Sequence, residues 1–263
     1  MSTREGLRAK LSTLPLKLKP YAEVDLERDC KLMTGSGWMF EMMSRMENAM
    51  WGRWGYWLNA WATMQPPTEA IPQIEFENAP NPFVLKMLDH TLECCTQGRI
   101  HRYRAMEWLV DWIRWSLGGL KDKPENPVPE IPSDVIAYQV FQLDPMVLYP
   151  YDYFGHWYAE AGHGKNGAAF YPTPMGLTNL MERILYGNDP LPTSSSACDP
   201  AVGTGRTLLA ASNSSLRLYG QDIDARVLAC LEVNFALYAP WGYRPLPDAV
   251  WTAHSSSKMT SSP

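Results

Sequence analysis

The chain has 263 residues, of which 46% are hydrophobic, so it is long enough to bury a sizeable core as one large or two small domains. Its formal net charge of -5 argues against a wholly basic surface that coats nucleic acid. A negative net charge still allows one local basic face. It has five cysteines without a Cys-x-x-Cys pair, and it lacks a run of about 18 apolar residues that could span a bilayer. We therefore expect a soluble, cytoplasmic protein with no disulfide framework, no metal site and no membrane segment.

The first half of the chain shows large apolar side chains at helical spacing. Tryptophan and methionine recur at this spacing between residues 38 and 64, and similar stripes cover residues 83–95 and 103–117. These patterns predict one or two buried helices followed by two more. Prolines then cluster within residues 121–133, which is typical of a stiff linker. We predict an all-α N-terminal domain over residues 1–120, a proline-rich linker over 121–133 and a second domain over 134–254.

Positive charge is concentrated on or beside the last helix of the predicted N-terminal domain. Arg99, Arg102 and Arg104 lie there, with His101 and Arg114 close by in the sequence. Two interpretations stay open. These side chains contact the phosphates of DNA, or they form a solvated helix face.

A proline-containing segment over residues 170–174 precedes the next predicted helix. Thr173 would be the N-cap of this helix, and Pro174 would take the first helical position, where its missing N–H costs nothing. An apolar stripe follows at helical spacing and stops before Gly187, so we predict an amphipathic helix. The stripe consists of Leu177, Leu180, Met181, Ile184 and Leu185.

The segment from Asp199 to Leu209 has the pattern of a cofactor loop that leaves a strand and enters a helix. Its two glycines, one residue apart, let the backbone approach a ligand closely and adopt positive φ. The acid at its start would repel a pyrophosphate and attract an ammonium group, which favours S-adenosylmethionine over a dinucleotide. The third glycine of a dinucleotide fingerprint is also missing, because Leu208 occupies its position. The loop residues expected to contact the cofactor are Asp199, Pro200, Ala201, Gly203 and Gly205.

A second short strand is predicted from the alternation over residues 216–221, and it leads to Asp222. This acid lies about 20 residues beyond the start of the loop, where nucleotide-binding α/β units place the carboxylate that accepts from ribose hydroxyls. Asp224 would then cap a helix over residues 225–238, whose apolar side chains recur at helical spacing. The order of elements predicts two adjacent parallel strands with the loop and Asp222 at one edge.

Three motifs follow one another at the spacing of a known enzyme family. They are Phe-Tyr-Pro-Thr-Pro at 170–174, Asp-Pro-x-x-Gly-x-Gly at 199–205, and Gly-Gln-Asp-Ile-Asp at 220–224 with Asn234 on the helix that follows. Together they resemble the S-adenosylmethionine-binding half of N6-adenine DNA methyltransferases, in particular the modification subunits of type I restriction-modification systems. The likeness covers about residues 150–240, and the first motif has one proline more than the family's. It implies an α/β fold with a Rossmann-like class I methyltransferase core and a role in DNA methylation.

The loop spacing and the resemblance lead to an expected arrangement of the cofactor. Asp199 would hold the methionine amino group, and the backbone of the two loop glycines would approach the sugar and amino-acid portion. Asp222 would accept from the ribose hydroxyls, and Ile223 would lie on the adenine face. Tyr171 and Thr173 would cross the mouth of the pocket near the carboxylate end of the ligand.

The chain departs from the family at its C-terminus. It contains no Asn/Asp-Pro-Pro-aromatic tetrapeptide, the loop that holds the flipped adenine in these enzymes. Residues 247–254 could form a third strand, and residues 255–263 are predicted to be a disordered tail. We therefore expect a Rossmann-like core that is incomplete at its C-terminus, has no catalytic residues and does not methylate DNA alone.

An incomplete core would leave the strand before Asp199 as an open edge, which is an aggregation hazard. The N-terminal helices could fold over this edge, a second copy could pair with it, or another polypeptide could complete it. Three functions follow as alternatives. The first is a methyltransferase subunit that needs a partner for base binding. The second is a regulatory or DNA-associated module that keeps the fold, and the third is a structural unit whose loop binds nothing.

Overall fold

The computed structural model describes residues 15–20, 33–160, 170–187 and 196–251, together with the single residues 6, 9 and 13. The predicted tail over residues 255–263 lies outside this part of the chain. Within the described ranges, no helix is both long and apolar enough to cross a bilayer.

Four helices form where the apolar spacing of the first half predicts them. The helices α1 (Phe40–Met50) and α2 (Arg53–Thr63) are separated at Gly52, whose φ of 79° takes the chain out of the helical region. Helix α3 spans Pro82–Thr96. The Asn81 side chain caps it by accepting from the Phe83 N–H, a first-turn donor that has no partner within the helix. The fourth helix, α4 (Arg102–Ser116), ends before Gly118. The predicted stripes over residues 38–64, 83–95 and 103–117 are confirmed as helices.

Three shorter helices follow, and they share one hydrophobic core with the first half. They are α5 (Ser133–Val140), α6 (Asp144–Leu148) and α7 (Tyr153–Glu160). Helix α5 packs against α3, and α6 packs against α1. Val128 and Ile131 of the predicted linker are buried in the same core.

The second half contains a parallel β-α-β unit. Its elements are α8 (Met175–Tyr186), β1 (Ala197–Asp199), α9 (Arg206–Ala211), β2 (Leu218–Gly220), α10 (Ala225–Tyr238) and α11 (Pro240–Tyr243). The two strands pair in parallel, with Ala197 opposite Leu218 and Asp199 opposite Gly220. Asp224 caps α10 as predicted, because its side chain accepts from the Arg226 N–H. The described residues are thus mainly helical, with two short parallel strands.

The N-terminal helices hold this unit through α10 and α11. Helices α1 and α4 pack against α10, and α2 packs against α11. The Trp54 indole N–H donates to the Ala236 carbonyl at 3.0 Å, and the buried Arg53 guanidinium donates to the Tyr238 carbonyl at 2.7 Å. Since both bonds end on the last turn of α10, they fix the helix that follows β2.

The third strand predicted over residues 247–254 is wrong for residues 247–251, while residues 252–254 lie outside the described part of the chain. Residues 248–251 are helical, and the Val250 N–H donates to the Pro247 carbonyl at 2.9 Å. The Val250 side chain is fully buried, and the Trp251 ring lies 5.6 Å from the Arg217 guanidinium. A helical turn satisfies the backbone locally while it buries Val250, so the apolar character of this segment is explained without a strand.

Candidate functional site

The glycine loop lies at the carboxyl ends of the two strands, as predicted, and two acids contact it. The Gly203 N–H donates to Asp222 Oδ2 at 2.9 Å, which joins the loop after β1 to the residues after β2. Asp222 Oδ1 accepts from the Asp224 N–H at 2.9 Å. On the other side, Asp199 Oδ1 accepts from the Ala201 N–H at 3.0 Å. Both carboxylates therefore lie against the same short stretch of backbone.

Gly203 and Gly205 are each required for a different physical reason. Gly203 has a φ of 54°, and a Cβ at this position would lie 2.9 Å from Cε2 of the Phe170 ring. Gly205 has a φ of 96°, and a Cβ there would overlap Cδ1 of Leu231 on α10. The first glycine thus leaves room for residues 170–174, the entrance segment, and the second leaves room for α10, the helix that follows β2.

The entrance segment and the loop line one small cleft. Its walls are Phe170, Tyr171, Pro172 and Thr173 on one side, and Asp199, Ala201, Val202, Gly203, Thr204, Arg206 and Thr207 on the other. Its volume is about 70 Å³, well below the ~300–1,000 Å³ that is usual for small-molecule sites. The cleft can hold one end of an extended ligand, and the rest of that ligand would have to lie on the open surface.

The remaining predicted residues lie outside this cleft. Gly205 is buried against α10, whereas Pro200 is exposed at the start of the loop. Asp222 is half-buried and accepts from the Gly203 N–H, and the Ile223 side chain beside it is 95% exposed. The structure therefore brings Tyr171, Thr173, Asp199, Ala201 and Gly203 together in the cleft, with Asp222 and Ile223 on the adjoining surface.

A buried carboxylate beneath the loop was missed by sequence reasoning. Asp152 is fully buried, and its Oδ2 accepts from Arg206 Nε at 2.7 Å and from the Thr204 hydroxyl at 2.6 Å. Its Oδ1 accepts from the Gly155 N–H at 2.8 Å and from Asn234 Nδ2 at 2.9 Å. A single side chain thus ties α7, the glycine loop, α9 and α10 together.

Arg206 extends the same network to the entrance segment. Its Nη1 donates to the Thr173 carbonyl at 3.1 Å, and its guanidinium lies over the Tyr151 ring at 5.3 Å. Burial raises the pKa of the Tyr151 hydroxyl, so this group stays a neutral phenol at physiological pH. The only hint in the sequence is that Arg206 begins a helix whose residues 208–211 are apolar, since a buried guanidinium needs a carboxylate but the sequence does not say which one.

The predicted N-cap role of Thr173 is wrong. Helix α8 begins at Met175, one residue later than predicted, and Pro174 takes the N-cap position without a side-chain cap bond. Pro174 has a ψ of 135°, which is extended, so it ends the entrance segment and does not begin the helix. The Thr173 side chain lines the cleft, and its carbonyl is held by Arg206.

Two of the three arginines predicted to contact nucleic acid have acidic neighbours. Arg102 Nη2 lies 2.5 Å from Asp89 Oδ1, and Arg99 Nη1 lies 3.9 Å from Glu130 Oε2. Arg104 is exposed. This charge is therefore partly neutralised within the protein. Among the described residues, no group of three acidic, histidine or cysteine side chains could hold a metal ion.

Comparisons with known proteins identified no relative of this chain. A scan against protein-family models finds no match, and searches of curated proteins and of solved structures find none either.

Proposed function

We propose that the chain is an S-adenosylmethionine-binding protein with a Rossmann-like class I methyltransferase core, related to N6-adenine DNA methyltransferases. The observation that carries this proposal is the hydrogen bond from the Gly203 N–H to Asp222 Oδ2 between the ends of two parallel strands. It joins the acid after the second strand to the glycine loop after the first, and nucleotide-binding α/β units use these two features for the ligand and its ribose hydroxyls.

The cleft beside the loop suits the amino-acid end of this cofactor. Asp199 uses Oδ1 for the Ala201 N–H, which leaves Oδ2 to accept from the ammonium group. Tyr171 and Thr173 form the opposite wall, close to where the carboxylate of the ligand would lie. At about 70 Å³ the cleft would hold only the charged end of the methionine portion, and the rest of the ligand would lie outside it.

The surface next to the cleft suits the nucleoside. Both oxygens of Asp222 already accept one backbone N–H, but each has a second lone pair, so the carboxylate can still accept from ribose hydroxyls. Ile223 is 95% exposed, and an adenine ring stacked on it would bury an apolar side chain that otherwise faces water.

Transfer of a methyl group to adenine requires more than this site. The base must be extruded and its amine held in line with the methyl group, and positioning of this kind supplies ~7–11 kcal/mol of the barrier. The chain has no Asn/Asp-Pro-Pro-aromatic loop for that task. We propose that a partner subunit supplies the base pocket and the DNA-recognition surface. Without such a partner, the chain would act as a non-catalytic regulatory or DNA-associated module.

The isolated chain is expected to leave adenine unmethylated. The assay uses S-adenosylmethionine labelled on its methyl group, mixed-sequence DNA, and chain purified free of other subunits. The prediction is no label in N6-methyladenine above a blank without protein. Labelled N6-methyladenine would mean that the chain itself holds the base, and the partner would then be unnecessary.

Replacing Thr173 by valine separates a ligand-contact role from a structural one. Because Thr173 does not cap α8, the free energy of unfolding should change by less than about 0.5 kcal/mol. The loss of one hydroxyl contact to the ligand should weaken the affinity for S-adenosylmethionine by about 3- to 10-fold. Calorimetric titration and urea unfolding measure the two quantities, and unchanged affinity would remove Thr173 from the site.

A further inference from the structure

The entrance segment, residues 170–174, is held in place by few contacts. It belongs to no helix or strand, and two of its residues are prolines, which have no backbone N–H to donate. Within the described part of the chain, residues 170–173 make a single hydrogen bond, in which the Thr173 carbonyl accepts from Arg206 Nη1 at 3.1 Å. The Phe170 ring also packs against the glycine loop. This wall of the cleft therefore depends on one aromatic ring and one hydrogen bond.

The Arg206 guanidinium is itself fixed by contacts with the core. Its Nε donates to Asp152 Oδ2 at 2.7 Å, and it lies over the Tyr151 ring at 5.3 Å. Asp152 is fully buried and the Arg206 side chain is 8% exposed, so water competes little for these contacts. A guanidinium is planar and offers its N–H groups in fixed directions. The bond to Asp152 therefore also sets the direction in which Nη1 meets the Thr173 carbonyl.

The charge of Arg206 is offset by the carboxylate of Asp152, and Nη1 is already used by the Thr173 carbonyl. Attraction of a ligand carboxylate by a free positive charge is therefore not the main role of this side chain. Arg206 instead supplies a rigid link between the core and residues 170–173, which make no second hydrogen bond within the described ranges. A lysine could neutralise Asp152, but its single ammonium group cannot hold both partners in one plane.

We propose that Arg206 is a positioning residue that holds the entrance segment over the glycine loop and so sets the affinity of the cleft for the amino-acid end of its ligand. The position of the segment is a property of the chain alone, whereas the effect on affinity rests on the proposed function. A merely structural role for Arg206 predicts a different result. Its replacement would then act only through stability, and removal of both charges of the buried pair would restore ligand binding together with the fold.

Two variants have in common only the loss of the guanidinium. Arg206→Met combined with Asp152→Asn removes both buried charges and leaves no uncompensated carboxylate, so the fold is retained. Arg206→Lys keeps a cation for Asp152, and it replaces the double variant if circular dichroism shows that the double variant is unfolded. The matched control is Arg114→Met with Glu232→Gln. Arg114 Nη2 lies 2.6 Å from Glu232 Oε2 in a partly buried pair, and neither residue lines the cleft.

Fluorine NMR reports the position of the segment without a ligand. The seven phenylalanines are replaced by 4-fluorophenylalanine, and the signals of Phe170 and Phe76 are assigned with Phe170→Leu and Phe76→Leu. In both Arg206 variants the Phe170 signal should move most of the way from its parent position to its position in urea. The Phe76 signal should stay, because this side chain is 2% exposed in the core. The control variant should leave both signals unchanged.

Calorimetric titration with S-adenosylmethionine tests the effect on affinity. Both Arg206 variants should bind at least ~10-fold more weakly than the parent, and the control variant should bind as the parent does. The proposal is overturned if the Phe170 signal stays at its parent position in both variants. It is also overturned if that signal moves while the affinity stays the same, because the segment then does not contribute to binding. Absence of binding by the parent would contradict the proposed function, and the fluorine spectra would still decide whether Arg206 positions the segment.

Discussion

Replacing Arg206 by methionine is expected to lower the free energy of unfolding by about 3–5 kcal/mol, because it leaves a buried carboxylate without its cation. Asp152 is fully buried, and the Arg206 side chain is only 8% exposed. The remaining donors to Asp152 hold the carboxylate in place but do not neutralise it. They belong to Thr204, Gly155 and Asn234. Urea unfolding followed by tryptophan fluorescence measures the loss.

A surface ion pair provides the control for this experiment. Arg45 Nη2 lies 2.6 Å from Glu41 Oε1, but both side chains are more than 70% exposed. Arg45→Met should therefore change the free energy of unfolding by no more than about 0.5 kcal/mol. Adding Asp152→Asn to Arg206→Met should recover part of the loss, since the uncompensated charge is then gone. A loss below about 1 kcal/mol for Arg206→Met alone would contradict the importance of the buried pair.

Replacing Gly205 by alanine is expected to lower the free energy of unfolding by about 2–5 kcal/mol. Two effects add. A φ of 96° strains any residue with a Cβ by about 1–2 kcal/mol, and a methyl group that overlaps Leu231 Cδ1 forces overpacking at about 1–3 kcal/mol. The same urea unfolding measurement applies.

Gly98 separates the two effects. It has a φ of 67°, and a Cβ there would meet nothing within 4 Å. Gly98→Ala should therefore show the backbone strain of about 1–2 kcal/mol without the overpacking. If Gly205→Ala and Gly98→Ala lower the free energy of unfolding equally, α10 moves to accommodate the new methyl group at no cost. The close contact between the loop and α10 would then not constrain the site.

The local elements of this chain were predictable because their signals are local. The helical spacing of tryptophan and methionine predicted α1 and α2, and the apolar stripes that follow predicted α3 and α4. Asp224 at the start of another apolar stripe predicted the capped helix α10. The order strand, glycine loop, helix, strand and acid also predicted the loop and Asp222 at one edge of the two strands, and the bond from the Gly203 N–H agrees with this. The prediction that one pocket would contain both glycines and both acids is not met, because the cleft includes Asp199 and Gly203 but neither Gly205 nor Asp222.

The features that were missed or wrongly predicted from the sequence depend on contacts between residues far apart in the chain. Asp152 and Arg206 are 54 positions apart, and no spacing rule connects them. A strand was predicted over residues 247–254, but in the described part of this segment Val250 is buried in the core on a helical turn over residues 248–251. The stripe of α8 was predicted as a helix face, yet its exposure could be found only from the position of its neighbours.

The most direct test of the proposed function is calorimetric titration of the chain with S-adenosylmethionine and with its demethylated product. Both ligands carry the amino-acid and ribose groups that Asp199 and Asp222 would hold, so both should bind saturably with one site per chain. Asp199→Asn keeps an acceptor for the Ala201 N–H but removes the charge, and it should weaken both affinities at least ~10-fold. Asp122→Asn, at an exposed position far from the loop in sequence, should leave them unchanged. Absence of saturable heat for either ligand at millimolar concentration would contradict the account.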